Sequence, residues 1–164
     1  MKQFIVRYFL FLAVLFVFFY APTSVVSACV NDGQSNLTLY LLEFFLKPGQ
    51  LQGIDIWINP HYKIVINQSC NGMIPTLFLW ASILAYPAGF LHKMLWIFLG
   101  YAVFSIVNVG RILFVVYATE HGEGKAEFYW SHDLAGNFLL MVTGLLLFIL
   151  FIKTSSKVPK KSVL

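Results

Sequence analysis

Residues 94–118 read MLWIFLGYAVFSIVNVGRILFVVYA, twenty-five residues with a single charge, Arg111. The hydrocarbon core of a bilayer is about 30 Å thick, and a helix needs about 20 mostly apolar residues to cross it. This stretch therefore predicts a membrane span. Three others meet the same condition: about Tyr8 to Ala28, Ile74 to Leu91, and Leu134 to Ile152. Pro22 interrupts the first, and the second is short for a full crossing. Composition agrees, since 59% of the residues are hydrophobic, 11% are charged, and the mean hydropathy is +0.78. A soluble domain carries about a quarter charged residues, so lipid must cover most of this surface. With 164 residues the chain suits one domain, 1–164. The expected fold class is an all-α membrane protein with about four transmembrane helices.

The charges give the spans a direction. With a cytoplasmic N-terminus, the inner ends hold Lys2, Arg7, Lys93, Lys153, Lys157, Lys160 and Lys161. The outer segments hold Lys47, Lys63 and Lys125, together with all the acidic residues: Asp32, Glu43, Asp55, Glu120, Glu123, Glu127 and Asp133. That bias satisfies the positive-inside rule. The net charge of +4 does not point to nucleic acid, because the basic residues sit at the ends of apolar runs and form no patch with interleaved aromatics. Lipid is the expected surroundings. A rival reading of the first span is a signal peptide, with Val26-Ser27-Ala28 before Cys29 as its cleavage site.

Residues 31–69 are expected to form the large outer loop. Within it Leu37 to Leu46, broken by Glu43, is too short to span and reads as an interfacial or re-entrant helix. Ile54 to Ile58 and Tyr62 to Asn67 flank Asn59-Pro60 with β-branched residues, which predicts a β-hairpin leading to Cys70 just before the second span. An exposed edge of that hairpin can accept an extended peptide by strand addition.

Three residues carry chemistry. Cys70 stands ahead of a helix N-terminus, with Gly72 permitting a turn and Pro75 suited to the first helical turn. Unpaired N–H groups there favour a thiolate and can hold an oxyanion. Arg111 lies within a span, roughly 10 Å below its end at 1.5 Å per residue. A charge there costs at least about 2.5 kcal/mol and usually marks function. Asn108 is three residues earlier on the same helical face. His132 opens the fourth span at the same side, a residue suited to acid–base work, and Gly136 one turn later leaves room for a close neighbour. Each has an ordinary reading: a buried thiol, a snorkelling arginine, a polar anchor. Three separate segments bringing a nucleophile, a cation and a proton carrier to one depth is the set an acyl-transfer site needs.

These residues resemble a known family. Cys70-Asn71-Gly72 at the head of a span is similar to the Cys-x-Gly motif of exosortases and archaeosortases, Asn108-Val109-Gly110-Arg111 to their Asn-x-x-Arg, and His132 with Gly136 to their His-x-x-x-Gly. The resemblance covers about Ile54 to Ile152. It implies a membrane-embedded cysteine transpeptidase without a cofactor. Such an enzyme cleaves the C-terminal sorting tail of exported proteins, made of a short motif, a transmembrane helix and a basic cluster, and passes the acyl group to an acceptor. Cys70 would be the nucleophile, His132 the acid–base residue and Arg111 the stabiliser of substrate or oxyanion, with Gly72 and Asn108 touching substrate. The site would face the extracytoplasmic side of the cytoplasmic membrane. The chain departs from larger members in having fewer spans.

Two other classes are weighed against this. A non-enzymatic assembly or accessory subunit would pair Arg111 with Asp133 or with a partner's carboxylate. A metal site from Cys70, His121, Glu123 and His132 matches no zinc spacing, and there is neither HExxH nor a G-x-S-x-G elbow for serine chemistry. Cys29 and Cys70 are too few for a disulfide scaffold.

Overall fold

The computed structural model describes residues 2–21, 24–122 and 129–155, except the side chains of Ser69 and Asp133. Lys125, Glu123, Glu127 and the lysines after Ser155, all used above for topology or metal binding, lie outside these residues.

The first apolar run forms helix α1, Lys2–Phe19. It stops short of Pro22, which lacks an N–H and disfavours helical conformation in the residue before it. The predicted first span to Ala28 is therefore two elements. Ser24 caps the second, accepting from the Ser27 N–H at 3.3 Å, and α2 runs Val25–Glu43. The first third of the expected loop, residues 31–43, is thus helix. Its buried residues, Ser27, Asn31, Gln34, Thr38 and Leu42, recur at helical spacing, but four of the five are polar. A search for apolar periodicity passes over such a stripe.

The hairpin forms as strands β2, Asp55–Asn59, and β3, Tyr62–Val65, paired antiparallel with Ile56 opposite Ile64. Asn59 closes the turn by accepting the His61 N–H at 2.9 Å. A short strand β1, Leu51–Gln52, extends it to a three-stranded sheet ordered β1-β2-β3, which leaves β3 at one edge. Lys47 and Gln50 both hydrogen-bond Glu120, fastening the turn before β1 to the far end of helix α4, Phe90–His121.

A 3-10 turn, Gln68–Cys70, links the sheet to α3, Met73–Ala85. This helix is shorter than the predicted span to Leu91. Tyr86 adopts extended backbone ahead of Pro87, as a residue before proline prefers, and Gly89 starts α4. After residue 128 the chain makes a π-helical turn, Trp130–Gly136, that runs into α5, Asn137–Ser155. Among the described residues, three helical segments are long and apolar enough to cross a bilayer: α1, α4, and the π turn with α5. The shorter apolar α3 packs against α1, α4 and α5. A side chain of α3 packs onto bare backbone of α4 where the residue there is glycine. A Cβ on Gly100 of α4 would come within 2.6 Å of Leu79 on α3.

The two ends of this bundle differ. At one, Lys93 donates to the Leu84 carbonyl at 2.8 Å and His92 approaches the Phe151 carbonyl at 3.4 Å. At the other lie α2, the sheet, the 3-10 turn and the π turn. The all-α membrane fold with a small sheet before the second apolar helix is the one expected from sequence, with β1 and the first half of α2 added.

Candidate active site

Cys70 is placed by its own loop. Its N–H donates to the Asn67 carbonyl at 2.9 Å, closing the 3-10 turn. Asn71 is fully buried, and its side-chain oxygen accepts the Met73 N–H at 2.9 Å to cap α3. Gly72 sits at φ +76°, the left-handed region that disfavours a side chain. A Cβ there would also stand 3.0 Å from Asn108 Cγ. Only glycine satisfies both conditions, and the result is a cysteine held with its carbonyl against α4.

Asn108 receives that carbonyl. Its amide donates to the Cys70 oxygen at 2.8 Å, and its own oxygen accepts from Arg111 Nη1 at 3.1 Å. Both side chains lie one turn apart on α4, and both are buried. Asn108 is expected from sequence to touch substrate, yet the structure gives each end of its amide a partner inside the protein. Gly72 likewise faces Asn108.

His132 arrives on the π turn. Its Nε2 lies 3.7 Å from Cys70 Sγ and 2.9 Å from Arg111 Nη2. A π turn carries an extra residue relative to an α turn, re-aims the side chains around it, and occurs often at functional sites. Gly136 ends this turn against the arginine: a Cβ would be 2.7 Å from Arg111 Nε. The thiol, the imidazole and the guanidinium, each drawn from a different segment, meet at one ring nitrogen.

The chemistry of that nitrogen follows from its neighbours. A guanidinium only donates, so Nε2 accepts from Arg111, which assigns the ring proton to Nδ1. The same lone pair faces the thiol. It can receive the thiol proton once Arg111 Nη2 moves off it, and the movement frees a cation beside the sulfur.

Sequence reasoning missed a polar network behind the cysteine loop. Asn71 donates to Asn31 Oδ1 at 3.0 Å, and Asn31 in turn donates to the Phe19 carbonyl at 2.7 Å. Gln34 donates to the Asn71 carbonyl at 3.0 Å and to Ser105 Oγ at 3.3 Å, and it accepts from the Tyr101 hydroxyl. These bonds tie α1, α2 and α4 to the residue beside Cys70. Their signal in the sequence is the polar helical spacing of Asn31, Gln34 and Thr38. A polar cleft of about 540 Å³ lies between α2 and the chain leaving the sheet, lined among others by Asp32, Asn36, Ile66, Asn67 and Gln68.

Cys29 is exposed on α2 and Cys70 is buried, and neither is joined in a disulfide among the described residues. Among the described residues no group of three or more His, Cys, Asp or Glu side chains gathers as a metal site would require.

No curated protein and no solved structure matches the chain. The family model for transmembrane exosortases matches residues 4–149, which reaches back through α1 and α2 beyond the motif-bearing segments. That match covers most of the chain, whose thiol, imidazole and buried guanidinium meet in a helical membrane bundle, and the chain belongs to the transmembrane exosortase family.

Proposed function

We propose that the protein is a cysteine transpeptidase that cleaves the C-terminal sorting tail of exported proteins and transfers the new acyl end to an acceptor. The observation that carries this reading is His132 Nε2 standing 3.7 Å from Cys70 Sγ and 2.9 Å from the Arg111 guanidinium. Catalytic hydrogen bonds are often long before substrate binds.

The reaction balances on these groups alone. His132 takes the thiol proton as the sulfur attacks the scissile carbonyl, and Arg111 turns from the ring to the oxygen that gains negative charge. Collapse breaks the C–N bond, and the imidazolium returns its proton to the departing amine. A thioester on Cys70 remains. An acceptor nucleophile then gives its proton to His132 and attacks the thioester, which releases the product and restores the thiol. Asn108 and Gly72 serve as positioning residues. Asn108 couples the Cys70 carbonyl to Arg111, and Gly72 admits it.

Orientation follows from charge. Lys93 and the first residues of α1 lie at the end away from the site, while Asp32, Asp55 and Glu120 lie at the site's end. The positive-inside rule then supports a site on the extracytoplasmic side of the cytoplasmic membrane. The polar cleft beside Asn67 and Gln68, together with the free edge of β3, offers hydrogen-bond partners for the extended motif of the substrate.

The test is co-expression with an exported protein that ends in a short motif, one apolar helix and a basic cluster. The wild-type chain shortens that protein, and Cys70→Ala leaves its mass unchanged. Processing that survives Cys70→Ala would favour an accessory subunit instead.

A further inference from the structure

A second cavity, of about 560 Å³, opens directly below the candidate site between α3 and α5. Its lining begins at Ile74 and Pro75, one turn beyond Cys70, and at Asn137, the residue after the π turn that carries His132. It continues to Ser82 on α3 and Phe148 on α5. The eleven steps from Asn137 to Phe148 rise about 16 Å at 1.5 Å per residue, so the cleft runs along α5 from beside the π turn toward the opposite end of the bundle.

We infer that this cleft seats a transmembrane helix of the polypeptide substrate, with Asn137 at the helix's first turn and Gly144 where the backbones come closest. The inference rests on Cys70 acting on a polypeptide. A polypeptide that continues from the site into hydrocarbon must satisfy its backbone internally, and only a helix does so there.

The walls suit a helix better than an acyl chain. Asn137 is exposed, and its side chain makes no hydrogen bond among the described residues. An amide left in that state at the edge of lipid is costly and favours a polar ligand. The first turn of a helix brings four N–H groups without internal partners, and Asn137 Oδ1 accepts from one of them. An acyl chain offers nothing to this amide. Gly144 removes side-chain bulk in mid-cleft, as the small residues at helix–helix contacts in membranes do. The Ser82 hydroxyl is already bonded to the Phe78 carbonyl at 2.9 Å, so it adds little polarity.

The test uses the full chain in lipid nanodiscs with Cys29→Ser and Cys70→Ala, so that an introduced cysteine is the sole thiol and no chemistry is needed. The probe is a synthetic helix of about 20 leucines and alanines, long enough to span, with one cysteine in the half nearer the site. Disulfide yield at Met141→Cys in the cleft is expected to exceed that at Phe9→Cys on the lipid-exposed face of α1 by about tenfold, a difference of 1.4 kcal/mol. Leu145→Trp, which fills the cleft from an exposed position, and Asn137→Leu each bring the yield back toward the Phe9→Cys level. Equal yields at the two cysteines overturn the inference, as does labelling of Met141→Cys by a thiol-reactive diacyl lipid without any peptide crosslink. Failure here leaves loss of processing in Cys70→Ala untouched, and retained processing in Cys70→Ala leaves the crosslink untouched, so the two readings fail separately.

Discussion

Gly136 lies so close to Arg111 that a single added carbon would stand 2.7 Å from the guanidinium Nε. The same carbon would be 2.9 Å from the Ser131 carbonyl, which is backbone and cannot swing aside as a side chain can. Gly136→Ala must therefore move the arginine or open the π turn that aims His132. Crowding of this kind costs about 1–3 kcal/mol. Substrate processing is expected to fall by about tenfold or more, with a lowered melting temperature in detergent. Wild-type activity and stability in this variant would mean that Arg111 is not confined where the structure places it.

Gly72 carries two constraints where other turns carry one. Gly53 also has a positive φ, +64°, but nothing lies within 4 Å of where its Cβ would be. Gly53→Ala should cost only the left-handed backbone strain of about 1–2 kcal/mol. Gly72→Ala adds the contact with Asn108 at 3.0 Å. Thermal unfolding of the two variants should rank Gly72→Ala as the more damaging, and processing should fall in it alone.

Arg111 meets two partners with two nitrogens, Asn108 through Nη1 and His132 through Nη2. Lysine keeps the charge but has one compact ammonium, so Arg111→Lys retains at most one of these bonds. Its kcat is expected to drop about a hundredfold, the scale of losing one oxyanion donor. Asn108→Ala strips a partner from both the Cys70 carbonyl and Arg111, costing about 1–3 kcal/mol per buried group left unsatisfied. Restoring Arg111→Lys to wild-type kcat would remove the guanidinium from the mechanism.

The two thiols should separate by access. Cys29 is exposed on α2, while Cys70 is 8% exposed beneath the π turn. A bulky maleimide is expected to label Cys29 first, and Cys29→Ala is expected to keep full processing. If Cys29→Ala were as inactive as Cys70→Ala, the assignment of the nucleophile would need revision.

Arg111 was legible because a lone charge inside an apolar run is conspicuous, and Cys70 and His132 because each stands at the head of a predicted span. Their meeting at one nitrogen was not legible, since it depends on the π turn, whose extra residue leaves no mark in hydrophobic periodicity. The same blindness hid the first half of α2, whose buried face is Ser27, Asn31 and Gln34, while its second half from Leu37 was expected as a short interfacial helix. Pro87 ended α3 earlier than apolar content suggested. Asn71 was visible only as the middle of a motif. In the structure it caps α3, bonds Asn31 and accepts from Gln34, and so holds the cysteine loop from three sides.

The most direct measurement is the mass of the tryptic segment 64–93, which carries Cys70, taken from cells that co-express a tailed substrate and quenched in acid. A hydroxylamine-labile adduct on Cys70, equal in mass to the acyl portion of the cleaved substrate and lost in His132→Ala, is the predicted result. Processing of the substrate with an unmodified Cys70 under the same quench, and undiminished by Cys70→Ala, would contradict the account.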